Sequence, residues 1–210
     1  MIRTAMRINI LLLFYALAFF PGQAQAQGTV SFDGPPVQPP GTARVVQEYY
    51  EAGLWFIPIP GTDGFVRQGS DPRPFWPDNG TAYVQIALGE SLSFGMVDGS
   101  DFSVVSVDLA EWSTAYPEPV RVHFVGYRRD GTVVTTDLLT DGVMDGIGPL
   151  SDFQTLYFGP EFSGVYKMQI PTTVYALDNL VVAIPEPAAI PLLALGAGIF
   201  RALRLRISKS

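Results

Sequence analysis

The chain has 210 residues, enough for one well-filled core and too few for two large domains once its ends are set aside. Only 16% of residues are charged against 48% hydrophobic, with 21 Gly and 18 Pro, while a single His and no Cys exclude a disulfide framework, a thiolate zinc site and a Cys nucleophile. The net charge of −7 understates the middle of the chain: without the six terminal basic residues and Glu186, seven bases face nineteen acids, or −12, a surface that repels nucleic acid and anionic lipid.

Taken in chain order, Arg3 and Arg7 precede the apolar run INILLLFYALAFF, and Ala24-Gln25-Ala26 offers a small-x-small site. This pattern predicts a secretory signal peptide over 1–26 cut after Ala26, the alternative being a retained anchor. Period-two alternation then recurs in GTVSFDG, AYVQIAL, SLSFGM, DFSVVSVDL, VRVHFVGY, GTVVTTDL, FQTLYF and VYKMQI, and TVYALDNLVVAI is the last such segment. Turn-rich stretches such as SDPRPFWPDNG, YPEP and DGVMDGIGP separate them. Nine or ten strands at this spacing predict an all-β fold, a single antiparallel β-sandwich over 27–184. TARVVQEYYEAGLWFIPI is ambiguous and is read as a loop or helical turn over 47–51 leading into a strand Leu54–Ile57, with Trp55 in the core.

The end of the chain combines Pro185-Glu186-Pro187, a 13-residue apolar run from Ala188 to Phe200, and an Arg-rich close. The run is short of the ~20 residues that cross a bilayer core, so it reads as a marginal, removable hydrophobic helix with its positive flank on the cytoplasmic side. This three-part arrangement over 185–210 resembles the PEP-CTERM sorting signal of exported bacterial proteins. The resemblance implies recognition by an exosortase-type membrane enzyme through Pro185, Glu186 and Pro187, with transient membrane insertion. It also implies a place in the Gram-negative cell envelope, cell surface or extracellular matrix, in association with exopolysaccharide. Pro191, inside the apolar run, departs from a straight spanning helix. The order VSFDG, YYEAGLWF, VSVDLAEWS, VRVHFVGYRRDGTVV, YALDNLVV is similar to the jelly-roll ectodomains of PEP-CTERM proteins, which resemble the galactose-binding-like sandwiches of carbohydrate-binding modules. The implied function is a non-catalytic carbohydrate-binding or structural module of the matrix, the alternative being a small secreted glycan-cleaving enzyme.

Trp76, Trp112 and Tyr116 lie in turn-rich segments where an aromatic face can stack on a sugar ring, or else pack the sandwich ends. The same resemblance implies that the first and last strands run together and that Asp33 and Asp178 hold a structural calcium; otherwise both acids cap turns. Asp141 to Asp152 mimics an EF-hand loop in part, but Val143 at its third position and Asp152 at its last make it an acidic turn. Glu48, Glu51, Glu111 and Glu118 are the acids available for paired-carboxylate hydrolysis. The lone His123 alternates with Val122 and Phe124 in a strand without a G-x-S-x-G elsewhere. Asn79-Gly80-Thr81 matches a glycosylation sequon.

Overall fold

The computed structural model describes residues 25–59, 64–71, 75–86, 90–116, 118–144, 152–172 and 174–185. Gln27–Ile184 form one compact unit. The predicted signal peptide, apart from its last two residues, and the sorting segment from Glu186 onward lie outside the described residues. Among the described residues no helix is long and apolar enough to cross a membrane.

The strands in chain order are β1 Gln25–Val30, β2 Ala43–Val46, β3 Tyr49–Glu51, β4 Leu54–Ile59, β5 Phe65–Gln68, β6 Tyr83–Ile86 and β7 Ser91–Met96, followed by β8 Ser103–Glu111, β9 Arg121–Tyr127, β10 Val133–Leu139, β11 Gln154–Tyr157, β12 Lys167–Ile170 and β13 Tyr175–Pro185. A short 3-10 turn spans Pro160–Phe162. Two sheets result. One runs β11-β8-β13-β6-β5-β2 with β1 also paired to β13, and the other runs β10-β9-β12-β7-β4-β3. The expectation of an all-β, two-sheet antiparallel fold is met. Ladders such as β9 with β10 and β4 with β7 are antiparallel, and the chain passes repeatedly from one sheet to the other.

The alternation seen in the sequence decides which side chains meet. In β9, Val122 and Phe124 point inward and are fully buried, whereas Arg121 and His123 point outward. Gly126 continues the inward set because a Cβ there would lie 2.9 Å from Val134 Cγ2 and 3.0 Å from Val165 Cγ1. The core holds two aromatic runs. Phe32 meets Phe56 at 5.2 Å between ring centroids and Phe56 stacks on Phe94 at 5.3 Å, while Phe124, Phe158 and Phe162 form a second run at 4.9 and 5.0 Å within the same hydrophobic cluster. Edge-to-face and offset contacts of this kind add to the area each ring removes from water.

Two expectations change here. The segment 47–51 is not a helical turn: β3 and β4 form a hairpin with Tyr49 opposite Phe56 and Glu51 opposite Leu54. Its two turn residues, Ala52 at φ 49° and Gly53 at φ 78°, both lie in the left-handed region that a two-residue hairpin turn requires. Trp55 is not core. Leu54 and Phe56 are buried, so the strand puts Trp55 on the opposite, outer face of the sheet, half-buried.

One corner joins the sheets. Arg67 of β5 is fully buried and donates to the carbonyls of Phe32, of Gly34 at 2.9 Å and of Pro36 at 2.8 Å, while its guanidinium lies 4.5 Å from the Tyr49 ring centroid. Because Phe94 is fully buried and stacked on Phe56, Phe94→Ala is expected to cost ~3–5 kcal/mol of stability, read as a lower denaturant midpoint with an unchanged slope. A loss under ~1 kcal/mol would show that the rings are not packed as described.

Candidate aromatic site

Two loops build the site. One joins β5 to β6 and carries Phe75, Trp76 and Asp78; the other leaves β8 at Glu111 and carries Trp112 and Tyr116. The amide of Thr114 donates to the carbonyl of Phe75 at 3.0 Å, Gln85 Nε2 donates to the carbonyl of Trp112 at 2.7 Å, and Tyr116 N donates to the carbonyl of Ser113 at 2.9 Å. Asp78 fixes the first loop by accepting from Ser70 Oγ and from the Gly80 amide, each at 3.0 Å, while its own amide donates to Asp152 at 3.0 Å. Asp152 is therefore a buried anchor, and Asp141 caps its own turn at the Val143 amide, 2.9 Å away; residues 145–151 of the EF-hand-like loop lie outside the described residues.

These bonds bring all three predicted aromatics together and add a fourth. Phe75 meets Trp76 at 4.5 Å, Trp76 meets Trp112 at 4.9 Å and Trp112 meets Tyr116 at 5.6 Å, each pair near-perpendicular. The two tryptophans are half-buried, and the outer rings are open to solvent, Phe75 at 43% and Tyr116 at 45%. Perpendicular packing braces each ring by its neighbour's edge and keeps faces at the ends of the row free. Phe75 escaped the sequence reading because nothing separates a surface Phe from a core Phe in the string RPFWPDNG.

The first strand does pair with the last, and the Asp33 charge acts on Asp178. Asp178 is fully buried beside an irregularity in β13, where Asn179 takes a φ of 44°. Its carboxylate accepts from the Asn79 side-chain amide, from Thr81 Oγ1 at 3.0 Å and from the Asn179 amide at 2.7 Å, and Asp33 accepts from the Ala82 amide at 2.9 Å. Both carboxylates thus face N–H and O–H donors where a calcium ion would need oxygens, and among the described residues no three acidic or His side chains gather to hold a metal. The donor set does not fit the ion. Burial pushes the Asp178 carboxyl up to about 7 against the pull of those donors, with the Asp33 charge adding to the rise. Asn79, whose sequon the sequence displays, is itself buried with its amide held by Asp178.

Of the acids proposed for hydrolysis, Glu51 and Glu111 hold neighbouring backbone in place. Glu51 accepts from the Ser31 amide at 3.3 Å, the Phe32 amide at 2.8 Å and Tyr49 Oη at 2.8 Å. Glu111 is buried and accepts from Thr140 Oγ1 and from the Gly142 amide at 2.7 Å. Glu48 accepts from Tyr50 Oη at 3.1 Å, and Glu118 is exposed. His123 Nδ1 sits 2.6 Å from Asp137 across the β9–β10 ladder, and that hydrogen bond holds the Asp137 carboxyl below the usual range.

No protein-family model matches the chain, and no curated protein matches it. Among solved structures, a mutant of the family 29 carbohydrate-binding module CBM29-2 aligns over 77% of this chain and 87% of its own, with 9% identity and a TM-score of 0.35. Another mutant of that module, complexed with mannohexaose, gives 77%, 94%, 9% and 0.35. A family 11 carbohydrate-binding module from Clostridium thermocellum, in complex with a β-1,3-1,4-mixed-linked tetrasaccharide, gives 77%, 97%, 11% and 0.33. Likeness of this size leaves the reading of the site to this chain's own residues.

Because Asp178 binds its proton more tightly folded than unfolded, the folded state holds the extra proton between pH 4 and 7. Stability is therefore expected to be greatest at the acidic end of that window and to fall as pH rises through about 7. Thermal melts across that range should show the fall, and Asp178→Asn should flatten it. Millimolar calcium should leave the melts unchanged; a clear calcium-dependent rise in Tm would mean that the donors turn aside to admit the ion.

Proposed function

We propose that the protein is an exported, non-catalytic carbohydrate-binding module of jelly-roll type, with the ring row Phe75, Trp76, Trp112 and Tyr116 as its sugar-stacking platform. The observation that carries this reading is the convergence of four aromatic side chains from two loops into one braced, half-exposed row. A sugar presents an apolar C–H face and a hydroxyl rim, which suits rings that offer apolar faces held in place before the ligand arrives. The signal over 1–26 and the tail from Pro185 through Glu186 and Pro187 support export and exosortase-type sorting. The expected destination is the cell surface or matrix of a Gram-negative bacterium, with exopolysaccharide as the natural ligand class. Glu51 and Glu111, both engaged in holding loops, favour binding over glycan cleavage.

Affinity electrophoresis of the purified protein in gels containing neutral polysaccharides should show retardation by at least one of them. Trp112→Ala and Tyr116→Ala should each weaken it about tenfold, ~1.4 kcal/mol, with the melting curve of the Tyr116 variant unchanged. Retardation by every polymer that survives both substitutions would remove the ring row from the reading, and no retardation at all would remove carbohydrate binding. For the tail, Glu186→Ala with Pro187→Ala in the native host should leave a longer chain in the membrane fraction on an immunoblot. An unchanged size and location would refute a sorting role for these residues.

A further inference from the structure

The outer face of the β3-β4-β7-β12-β9-β10 sheet has no part in the aromatic row or the core, yet it is organised as a surface. Strand register sets one line of residues straight across it. Tyr50 of β3 is opposite Trp55 of β4, Trp55 is opposite Gly95 of β7, and on β12 Lys167 is opposite Tyr127 of β9, which is opposite Val133 of β10. Met168 opposite Phe94 places Lys167 one step along, beside Gly95. Gly95 is where the line dips: a Cβ there would lie 3.0 Å from Trp55 Cζ2 and 2.9 Å from the carbonyl of Tyr166, so the indole lies over the bare backbone. The next line along the strands joins Ile57, Ser93, Gln169, Val125 and Thr135. Tyr127 Oη donates to Gln169 Oε1 at 3.0 Å, which fixes both polar ends.

The charges on this face run against those of the whole domain. Its outward strand positions carry two cations, Lys167 and Arg121, against one acid, Asp137, which meets Arg121 at 3.4 Å and the His123 ring at 2.6 Å. Lys167 Nζ lies 5.2 Å from the Tyr127 ring centroid, and among the described residues no carboxylate pairs with it. In a unit with nineteen acids and seven bases, a lysine left to an aromatic ring is a cation ready for an incoming anion. Trp55 and Tyr127 lie three strands apart, ~14 Å at ordinary strand spacing, with Lys167 between them. Two ring faces flanking an ammonium group match a sugar chain that bears carboxylates.

We infer that this sheet face binds an acidic polysaccharide, its sugar rings over Trp55 and Tyr127 and a uronate carboxylate on Lys167. The inference deepens the carbohydrate reading and rests on it for the class of ligand, but it uses a separate set of residues. The probes are polygalacturonate and alginate, with fully methyl-esterified polygalacturonate as the same backbone without free carboxylates, each cast into native gels run with the purified protein. At least one free polyuronate should retard the protein, the ester should do so at least tenfold less well, and raising the salt to ~0.5 M should weaken retardation strongly. Lys167→Gln should reduce affinity for the polyuronate about tenfold and Trp55→Ala at least as much, whereas Trp112→Ala should leave it unchanged. Lys167→Gln keeps most of the aliphatic stem of a half-buried side chain and removes the charge, so its result stands even where Trp55→Ala lowers stability. Equal retardation by the ester, indifference to Lys167→Gln, or no retardation by either polyuronate would overturn the inference. Loss of polyuronate binding on Trp112→Ala instead would assign the acid polymer to the loop row, overturning the sheet-face site while leaving the carbohydrate reading intact.

Discussion

The guanidinium of Arg67 lies fully buried between the two sheets, and the order of the surrounding chain follows from how its charge is met. Among the described residues no carboxylate pairs with it. Three backbone carbonyls, those of Phe32, Gly34 and Pro36, accept from it, the face of Tyr49 covers it, and the Tyr49 hydroxyl passes on to Glu51. A buried charge without such partners would be expelled or neutralised, so the loop after β1 must wrap around it. Phe32 shows the result: its carbonyl is held by Arg67, its amide by Glu51 and its ring by Phe56, which together keep a bulky residue at a φ of 56°. Gly34 has to be glycine, since a Cβ there would come within 2.6 Å of the Tyr49 hydroxyl.

That corner and the Asp178 pocket divide the work of keeping the first strand against the last. At one, a fixed cation draws carbonyl oxygens inward; at the other, a carboxylate draws N–H and O–H donors from the Asn79–Thr81 turn and from Asn179. Both anchors are built from the chain's own side chains and backbone groups. Burial pushes the Asp178 carboxyl up to about 7, so this second anchor responds to acidity. Both leave the sheet faces and loop tips free of structural duty, which is where aromatic rings are exposed.

Strand pattern was the most legible part of the sequence because alternation maps directly onto burial, as β9 and β10 show position by position. The 49–54 hairpin was hidden, since EYYEAG carries none of the usual Asn-Gly or Asp-Gly turn signals and places an Ala at positive φ. Trp55 was misplaced for a related reason: in LWFIPI both faces are apolar, so the run looks continuous although Leu54, Phe56 and Pro58 turn inward and Trp55, Ile57 and Ile59 outward. Trp76 and Trp112 were recognisable singly, but their meeting depends on the side-by-side placement of β6 and β8 about β13, a long-range fact that no local pattern encodes. Nor could the string VRQ announce that its Arg is fully buried.

The burial of Asn79 bears on how the protein can be made. A host that attaches N-linked glycans does so to unfolded chains as they emerge, before the sequon at Asn79-Gly80-Thr81 has found its place. A glycan on that nitrogen would occupy the space in which Asp178 must dock, so a modified chain could not close the turn around β13. In such a host glycosylation and folding become competing fates of the same atom, and yield would follow how fast the turn closes. Bacterial expression without that modification avoids the contest altogether.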